Sequence, residues 1–467
     1  MPDLLTPESE KHRDGLEPDG HHPVHEGPVA RVKRSEAWRS VFRHPSLDTP
    51  RGRALQSFSN VFLHIYPVRV PARVLRNRYS WRLGYIASVL FVVLLTTGLY
   101  LMFFYSPSVN SAYGDMQLLR TGVGFGQLIR NVHRWAAHLM VVVVFAHFVR
   151  VFLAGAYKRP RQFNWVLGVG LLLITLGFSF TGYLLPWDQL SYWAVTVGTN
   201  LANYVPVVGG LVRDLLIGGT QIGQSTLERF YALHVAVLPL SLGLLLTVHI
   251  WRVRKDGFAV KRGGTGAFGG DEAPSTGDAN SVEGSAAVAK DPVIMSPVLV
   301  QNGVGGRVRL LGVVERESVV AEEQLTDDTV FTWPHLLVRH VVVGLGTVAV
   351  CLALGIMFAA PLRGIANPNL TPEPSKAPWY FVGLQELLSH FDPLVAGILI
   401  PGAAVVTFVM LPYIDRNPAT EARNRKLAIV IFTIVAVIAV ALTVTGLVFR
   451  GPGWKFVNPL KHSYIEL

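Results

Sequence analysis

Seven apolar stretches of about twenty residues, separated by polar segments, set the architecture of this chain. They are Leu83–Tyr105, Trp135–Leu153, Trp165–Trp187, Phe230–Trp251, Val341–Leu362, Pro393–Ile414 and Leu427–Phe449. A hydrocarbon core roughly 30 Å thick is crossed by about twenty helical residues, so each stretch predicts one transmembrane helix. The first, third and seventh carry no charged residue at all. The pattern therefore predicts an all-α, polytopic membrane protein.

The polar segments divide it further. Residues 1–35, rich in His, Pro, Gly and charge, predict a disordered tail. Residues 36–80 set Trp38, Val41, Phe42, Phe58, Val61 and Phe62 among arginines, the pattern of an amphipathic segment lying on the membrane surface. Residues 255–332 form a long insert, Gly/Ser/Asp-rich over Gly263–Gly284 and strand-like around Val308–Val320. The insert separates a four-helix block (81–254) from a three-helix block (333–450), and residues 451–467 make a tail on the outer side.

Composition agrees with this plan. Of 467 residues half are hydrophobic and only 16% charged, too few charges for a soluble surface of that size. Basic residues gather before the first span (Arg73, Arg76, Arg78, Arg82), between the second and third (Lys158, Arg159, Arg161) and after the fourth (Arg252, Arg254, Lys255). Others lie between the sixth and seventh (Arg416, Arg423, Arg425, Lys426). All of these share one side if the N-terminus is cytoplasmic. The net charge of +11 is then a topology signal and an attraction to anionic lipid, with no nucleic-acid partner required. The first sixty residues lack the apolar core of a cleavable signal peptide. The sole cysteine, Cys351, reads as a small packing residue; it excludes an intrachain disulfide, a Cys-x-x-Cys-His haem attachment and a cysteine-ligated iron–sulfur cluster.

Four histidines carry the chemistry. His133 and His147 are fourteen residues apart, and His234 and His249 fifteen apart. At 3.6 residues per turn each step is about four turns, or roughly 21–22 Å, so each pair shares one helix face. Two such helices side by side would stack two bis-histidine sites, His133 with His234 and His147 with His249. A haem that only transfers electrons wants two axial imidazoles and no open position. A lone histidine in an apolar helix is ordinarily a packed residue, but four at matched spacing in lipid point to function. His138, off that face and without a mate on the fourth span, reads as a packing or proton-path residue.

Glycines repeat the same period: Gly84 and Gly98 on the first span, Gly168 and Gly182 on the third. Each would clear space for a flat macrocycle against the backbone. Arg130 lies three residues before His133 and Arg150 three after His147, a helical turn toward either interface, where haem propionates need a cation.

Three runs then carry a resemblance. Ile129-Arg130-Asn131-Val132-His133-Arg134-Trp135, Gly182-Tyr183-Leu184-Leu185-Pro186-Trp187-Asp188-Gln189 and Gln224 through His234 resemble cytochrome b of the quinol-oxidising bc and b6f complexes. The fifteen-residue step from His234 to His249 is similar to the b6f branch, and the block containing Pro378-Trp379-Tyr380 resembles its subunit IV. Over about residues 60–450 the chain looks like a fusion of those two proteins.

The resemblance implies a subunit of a quinol–cytochrome c reductase type oxidoreductase with two non-covalent b-type haems. It implies quinol oxidation at the outer side, one electron passing to a Rieske iron–sulfur protein and one to an inner quinone site, coupled to proton translocation. A c-type cytochrome subunit, a homodimeric complex and the bacterial cytoplasmic membrane are implied with it.

Two departures stand out. In the family a Pro-Glu-Trp-Tyr motif lines the outer quinol pocket and its glutamate is thought to take a quinol proton; here the run is Ala377-Pro378-Trp379-Tyr380. Pro378, Trp379 and Tyr380 are expected to line the pocket opposite the Tyr183–Gln189 run. Glu373 and Glu386 are the substitute carboxylates, with Glu386 preferred because burial in an apolar helix would raise its pKa. Altered motifs of this kind suggest menaquinol as the substrate. The b6f branch also often attaches a further haem to a cysteine on the first helix, where this chain has Arg82, so no covalent haem is expected. On the cytoplasmic side Arg254, Lys255, Arg339 and His340 are candidates for anchoring quinone.

Two other readings compete. A di-haem membrane anchor of a dehydrogenase, without bifurcation, would need no outer quinol pocket. A proton-coupled transporter with intramembrane histidines would lack b-type absorbance.

Overall fold

Residues 65–76, 81–258 and 329–461, with the backbone of 296–301 and 308–314, are described by the computed structural model of the chain. In chain order they form β1 (Arg69–Pro71), α1 (Leu83–Met102), α2 (Ala112–Thr121), α3 (Gly126–Leu153), α4 (Gln162–Leu184), α5 (Gln189–Asn200), α6 (Gly209–Ile217) and α7 (Gln224–Asp256). There follow β2 (Ser296–Gln301), β3 (Val308–Val314), β4 (Thr329–Phe331), α8 (Thr332–Met357), α9 (Trp379–Leu388), α10 (Leu394–Ile414) and α11 (Lys426–Phe449). Among the described residues seven helices are long and apolar enough to cross a membrane: α1, α3, α4, α7, α8, α10 and α11. Their outer faces are apolar, as on α11, where Val430, Ile431, Ile434 and Val437 are exposed. That is the surface a helix offers to lipid.

The seven spans fall where the hydropathy pattern sets them, but their ends differ for a physical reason. Helix α3 begins at Gly126 rather than at Trp135, running through Gln127, Arg130, Asn131 and Arg134. Hydropathy stops at these polar side chains; the backbone hydrogen-bond ladder does not. Helix α8 starts at Thr332 rather than Val341 and ends at Met357, before the turn through Ala360 and Pro361. The tail over 1–35 and most of the 36–80 surface segment lie outside the described residues. The described portion of that segment is not a surface helix: β1 pairs antiparallel with β4, and one tight helical turn follows at Ala72–Leu75. In the insert, β2 and β3 form an antiparallel pair, matching the strand character around Val308.

Helix α1 packs along α3, α7 along α4, and α8 against both α1 and α3. Cys351 is buried on α8 against Leu90, Val132, Ala136 and Met140, a packing residue. The crossing of α3 and α8 is close, since a Cβ at Gly355 would fall 2.6 Å from Val132 Cγ2. Asn131 locks it, donating to Gly355 O (2.8 Å) and accepting from Ala360 N (2.8 Å). At the opposite end the buried Arg425 guanidinium donates to Phe152 O, Leu153 O and Tyr157 Oη, while Lys158 pairs with Asp415 at 2.9 Å. Polar cross-links at both ends thus join the four-helix and three-helix blocks.

Candidate redox site

His133 on α3 and His234 on α7 face each other across the bundle, their ring centres 6.3 Å apart and their planes at 67°. Each ring is oriented by a threonine on a neighbouring helix. Thr97 Oγ1 donates to Val93 O (2.7 Å), so toward His133 Nδ1, at 2.9 Å, it can only accept. Thr181 Oγ1 donates to Gly177 O (2.8 Å) and stands 3.2 Å from His234 Nδ1. Both imidazoles therefore carry their proton on Nδ1, which leaves the Nε2 lone pairs free to bind a metal. A gap of this width suits two metal–imidazole bonds of about 2 Å each.

The fifteen-residue step on α7 is reconciled with the fourteen-residue step on α3 by local backbone geometry. Fourteen residues of α-helix end roughly 40° short of four turns, while fifteen end roughly 60° past them. His234 lies in a π-turn, Leu233–Val237, that takes up one residue. Pro239 has no N–H to give the carbonyl one α-turn back, which favours that wider turn. His147 and His249 lie near enough to interact electrostatically, and each ring is set against a glycine: His147 Cε1 is 3.2 Å from where a Gly84 Cβ would stand, and His249 Cε1 is 3.7 Å from that of Gly168. For Gly98 and His133 the distance is 3.3 Å, and for Gly182 and His234 only 2.4 Å. All four glycines of the sequence pattern thus admit a histidine ring to the neighbouring backbone. The expected clearance for a macrocycle is, in this geometry, first a clearance for its ligands.

A cavity of about 290 Å³ opens beside the first pair. His133, His234, Gly98 and Gly182 form one portion of its wall, and Pro378, Trp379, Tyr380 and Tyr183 another. Two loops are stitched together to make it. Asp188 caps α5 through Ser191 N (2.9 Å) and accepts Arg363 N (3.1 Å), while Gln189 N donates to Gly364 O (2.7 Å). Gln385 holds the Ala377–Tyr380 run by accepting Ala377 N and donating to Ser375 O, both at 2.7 Å. Burial pushes the Tyr380 hydroxyl up to about 12, so it keeps its proton.

Residues 70–257 match the family described as cytochrome b/b6/petB, and residues 365–461 match cytochrome b (C-terminal)/b6/petD. The chain belongs to the cytochrome b family. Cytochrome b6 of Prochlorococcus marinus (strain AS9601) is 46% identical over 177 residues, which is 38% of this chain and 81% of that protein. Cytochrome b6 of Synechococcus sp. (strain RCC307) is 48% identical over the same lengths. A chain of a hyperthermophilic respiratory complex III shares the fold, with TM-score 0.63 and 22% identity over 90% of this chain and 91% of that one. Membership implies non-covalent b-type haems and an oxidoreductase subunit working in membrane electron transport.

Within this cytochrome b the side chains expected around the site fall into two groups. The four histidines, the four glycines and Pro378, Trp379 and Tyr380 come together as described. The two carboxylates do not. Glu386 is fully buried, but outside the cavity wall, where Arg450 Nη2 and Nε (2.7 and 3.0 Å), Trp454 Nε1 (3.0 Å) and His390 Nε2 (3.0 Å) surround it. Burial alone raises its pKa, as the sequence suggests, but the bonds from Arg450, His390 and Trp454 and the Arg450 charge outweigh it and hold the carboxyl below its ordinary value. An ion-paired carboxylate so enclosed is a poor proton acceptor. Glu373 is exposed and likewise outside the cavity wall.

Arg130 lines the cavity, but its two terminal nitrogens donate to Ala360 O and Pro361 O at 2.7 Å each, which makes it a brace between α3 and the loop after α8. Arg150 stands in the last turn of α3. Of the basic cluster near the second pair, His340 is buried, stacked on Tyr85 (4.2 Å between centres) and 3.1 Å from Tyr66 Oη. Arg339 donates to His335 O. Histidine spacing alone does not single out Thr97 and Thr181; their signal is the Thr-Gly pair repeated on α1 and α4.

Proposed function

We propose that the chain is the di-haem subunit of a bc/b6f-type complex that oxidises quinol, with menaquinol the favoured substrate. His133 with His234, and His147 with His249, hold the two haems. A haem held between two imidazoles changes its iron by one electron at a time and offers no position to another ligand. Thr97 and Thr181 keep the first pair in the tautomer that presents Nε2. Arg150 supplies a cation for propionates of the second haem, and Arg130 holds the first ligand helix to the loop beside the pocket.

Quinol binds on the outer side, between Pro378-Trp379-Tyr380 and the Tyr183–Gln189 run. One electron goes to a separate Rieske protein, which serves a c-type cytochrome subunit. The other crosses between the two histidine pairs, about 21 Å apart along the helices, to a quinone on the inner side. Protons leave at the outer face and enter at the inner one, so the transfer is electrogenic. The chain lies in the bacterial cytoplasmic membrane with its N-terminus inside, in a dimeric complex.

The observation that carries this reading is the shared cavity. One space of about 290 Å³ is walled both by the first histidine pair and by Trp379 and Tyr380 of the second block. A di-haem anchor has no use for that arrangement. The test is a redox titration of the purified complex with its co-purifying subunits identified. Two b-type bands of different potential, both reduced by menaquinol, a Rieske protein in the preparation, and a denatured band uncoloured by haem stain are the expected outcome. Bands that no quinol reduces would overturn the reading.

A further inference from the structure

His138 is a polar residue of the cavity wall to which the redox reading gives no role. It lies on α3, five residues past His133, and faces the second block across the pocket. Trp379 Nε1 donates to His138 Nδ1 at 2.8 Å, and the Tyr380 ring lies tilted beside it with ring centres 6.0 Å apart. An imidazole that accepts at Nδ1 carries its proton on Nε2 in the neutral form. That nitrogen has no hydrogen-bond partner among the described residues, and it is not among the sealed buried atoms. The Trp379 bond therefore leaves one N–H of His138 to the cavity.

Several other polar groups of the wall are engaged. Both carboxylate oxygens of Asp188 accept backbone N–H groups, Lys376 Nζ donates to Leu447 O, and Tyr105 Oη donates to Leu185 O. Arg134 adds positive charge and no acceptor. The wall carboxylate is thus committed to backbone N–H groups, while His138 Nε2–H is left as a donor for a ligand oxygen.

We propose that His138 Nε2–H donates a hydrogen bond to an oxygen of the quinol head group, with Trp379 fixing the tautomer that makes this possible. The contact replaces, with a donor, the carboxylate contact missing from Ala377-Pro378-Trp379-Tyr380. This rests on the quinol-oxidation reading above. As the proton leaves the quinol oxygen for solvent, the developing negative charge meets an N–H and the Arg134 guanidinium. His138 itself takes no proton in this step, because its one acceptor nitrogen is held by Trp379.

The test uses the intact complex and menaquinol. His138→Leu removes the donor at similar size, and His138→Gln keeps an N–H donor at the reach of Nε2. His138→Leu is expected to raise KM for menaquinol by about tenfold, the loss of one hydrogen bond to substrate, while His138→Gln stays within about threefold of the parent. The b-type spectrum should be unchanged in both. Equal KM values for the two variants, whether both normal or both raised, would overturn the proposal. Should His138→Leu fail to assemble, Trp379→Phe carries the test: it frees the tautomer, so KM should rise about threefold, and a parental KM would overturn the idea. A parent complex that menaquinol cannot reduce would instead sink the quinol reading itself.

Discussion

Arg450 grips the carboxylate of Glu386 with two nitrogens, Nη2 to Oε1 at 2.7 Å and Nε to Oε2 at 3.0 Å, where Glu386 has no exposed surface. The pair ties the C-terminal end of α11 to α9, next to the Ala377–Tyr380 run. Breaking a buried pair by removing one partner leaves the other charge unpaired, at a cost of about 3–5 kcal/mol. Glu386→Gln is therefore expected to lower the melting temperature of the complex while leaving quinol oxidation per assembled complex near the parental rate. The pH dependence has a definite sign. The folded carboxyl titrates below its ordinary value, so its stabilisation is present above the unfolded pKa, about 4.3, and is lost as pH falls through the folded one. Melting curves between pH 6 and about pH 3 check this: the parent should lose more stability on acidification than Glu386→Gln. A variant that melts like the parent but no longer oxidises quinol would restore Glu386 as the proton acceptor.

Gly168 and Gly182, both on α4, should respond differently to the same substitution. A Cβ at Gly182 would stand 2.4 Å from His234 Cε1 and 2.9 Å from its Nδ1, whereas one at Gly168 meets His249 Cε1 at 3.7 Å, ordinary contact. Gly182→Ala must push the imidazole off its axis or force α4 away from α7, and should remove most of one b-type band. Gly168→Ala should keep both. Pyridine haemochrome content of the two variants decides the matter, and equal content would contradict the geometry.

Thr97 makes a subtler prediction. Its hydroxyl accepts from His133 Nδ1 while donating to Val93 O, which sets the tautomer of the ring. Thr97→Val keeps the shape and removes the acceptor. Partners of this kind are worth about 10–100-fold in metal affinity, so haem should be lost more readily from the first site than from the second. A shifted midpoint potential for that band alone, with the other unchanged, is the expected signature in a redox titration.

Much of this is legible in the sequence, and what is not has physical causes. The spans are readable because apolar length is a direct requirement of the bilayer. The histidine pairs are readable because an apolar helix has little reason, beyond a shared ligand, to repeat an ionisable group every four turns. Glu386 misleads because its hydrophobic neighbours in sequence suggest an isolated buried acid. Its partners, Arg450 and Trp454, lie more than sixty residues away and meet it only through the packing of α9 on α11. Arg130 points to a propionate by its distance from His133, but its carbonyl partners at Ala360 and Pro361 come from the far side of the insert. His138 looks idle in sequence for the same reason, since Trp379 belongs to the second block.

The π-turn at Leu233–Val237 gives the most demanding prediction. His234 and His249 are fifteen residues apart, yet His234 faces His133 and His249 lies near His147, and those two are fourteen apart on a regular helix. If the π-turn holds the extra residue, deleting Ala236 should let the segment close into ordinary α-helix and preserve the register of both histidines. Deleting Val143 from α3, which has no such turn between its histidines, should instead rotate His147 by about 100° and shorten the step by about 1.5 Å. The Ala236 deletion is then expected to retain both b-type bands, and the Val143 deletion to lose one. The comparison is made on the purified membrane complex by reduced-minus-oxidised spectra and haem content. Loss of a band in both deletions would mean that the fifteen-residue step is needed as it stands, and that the π-turn does more than absorb a residue.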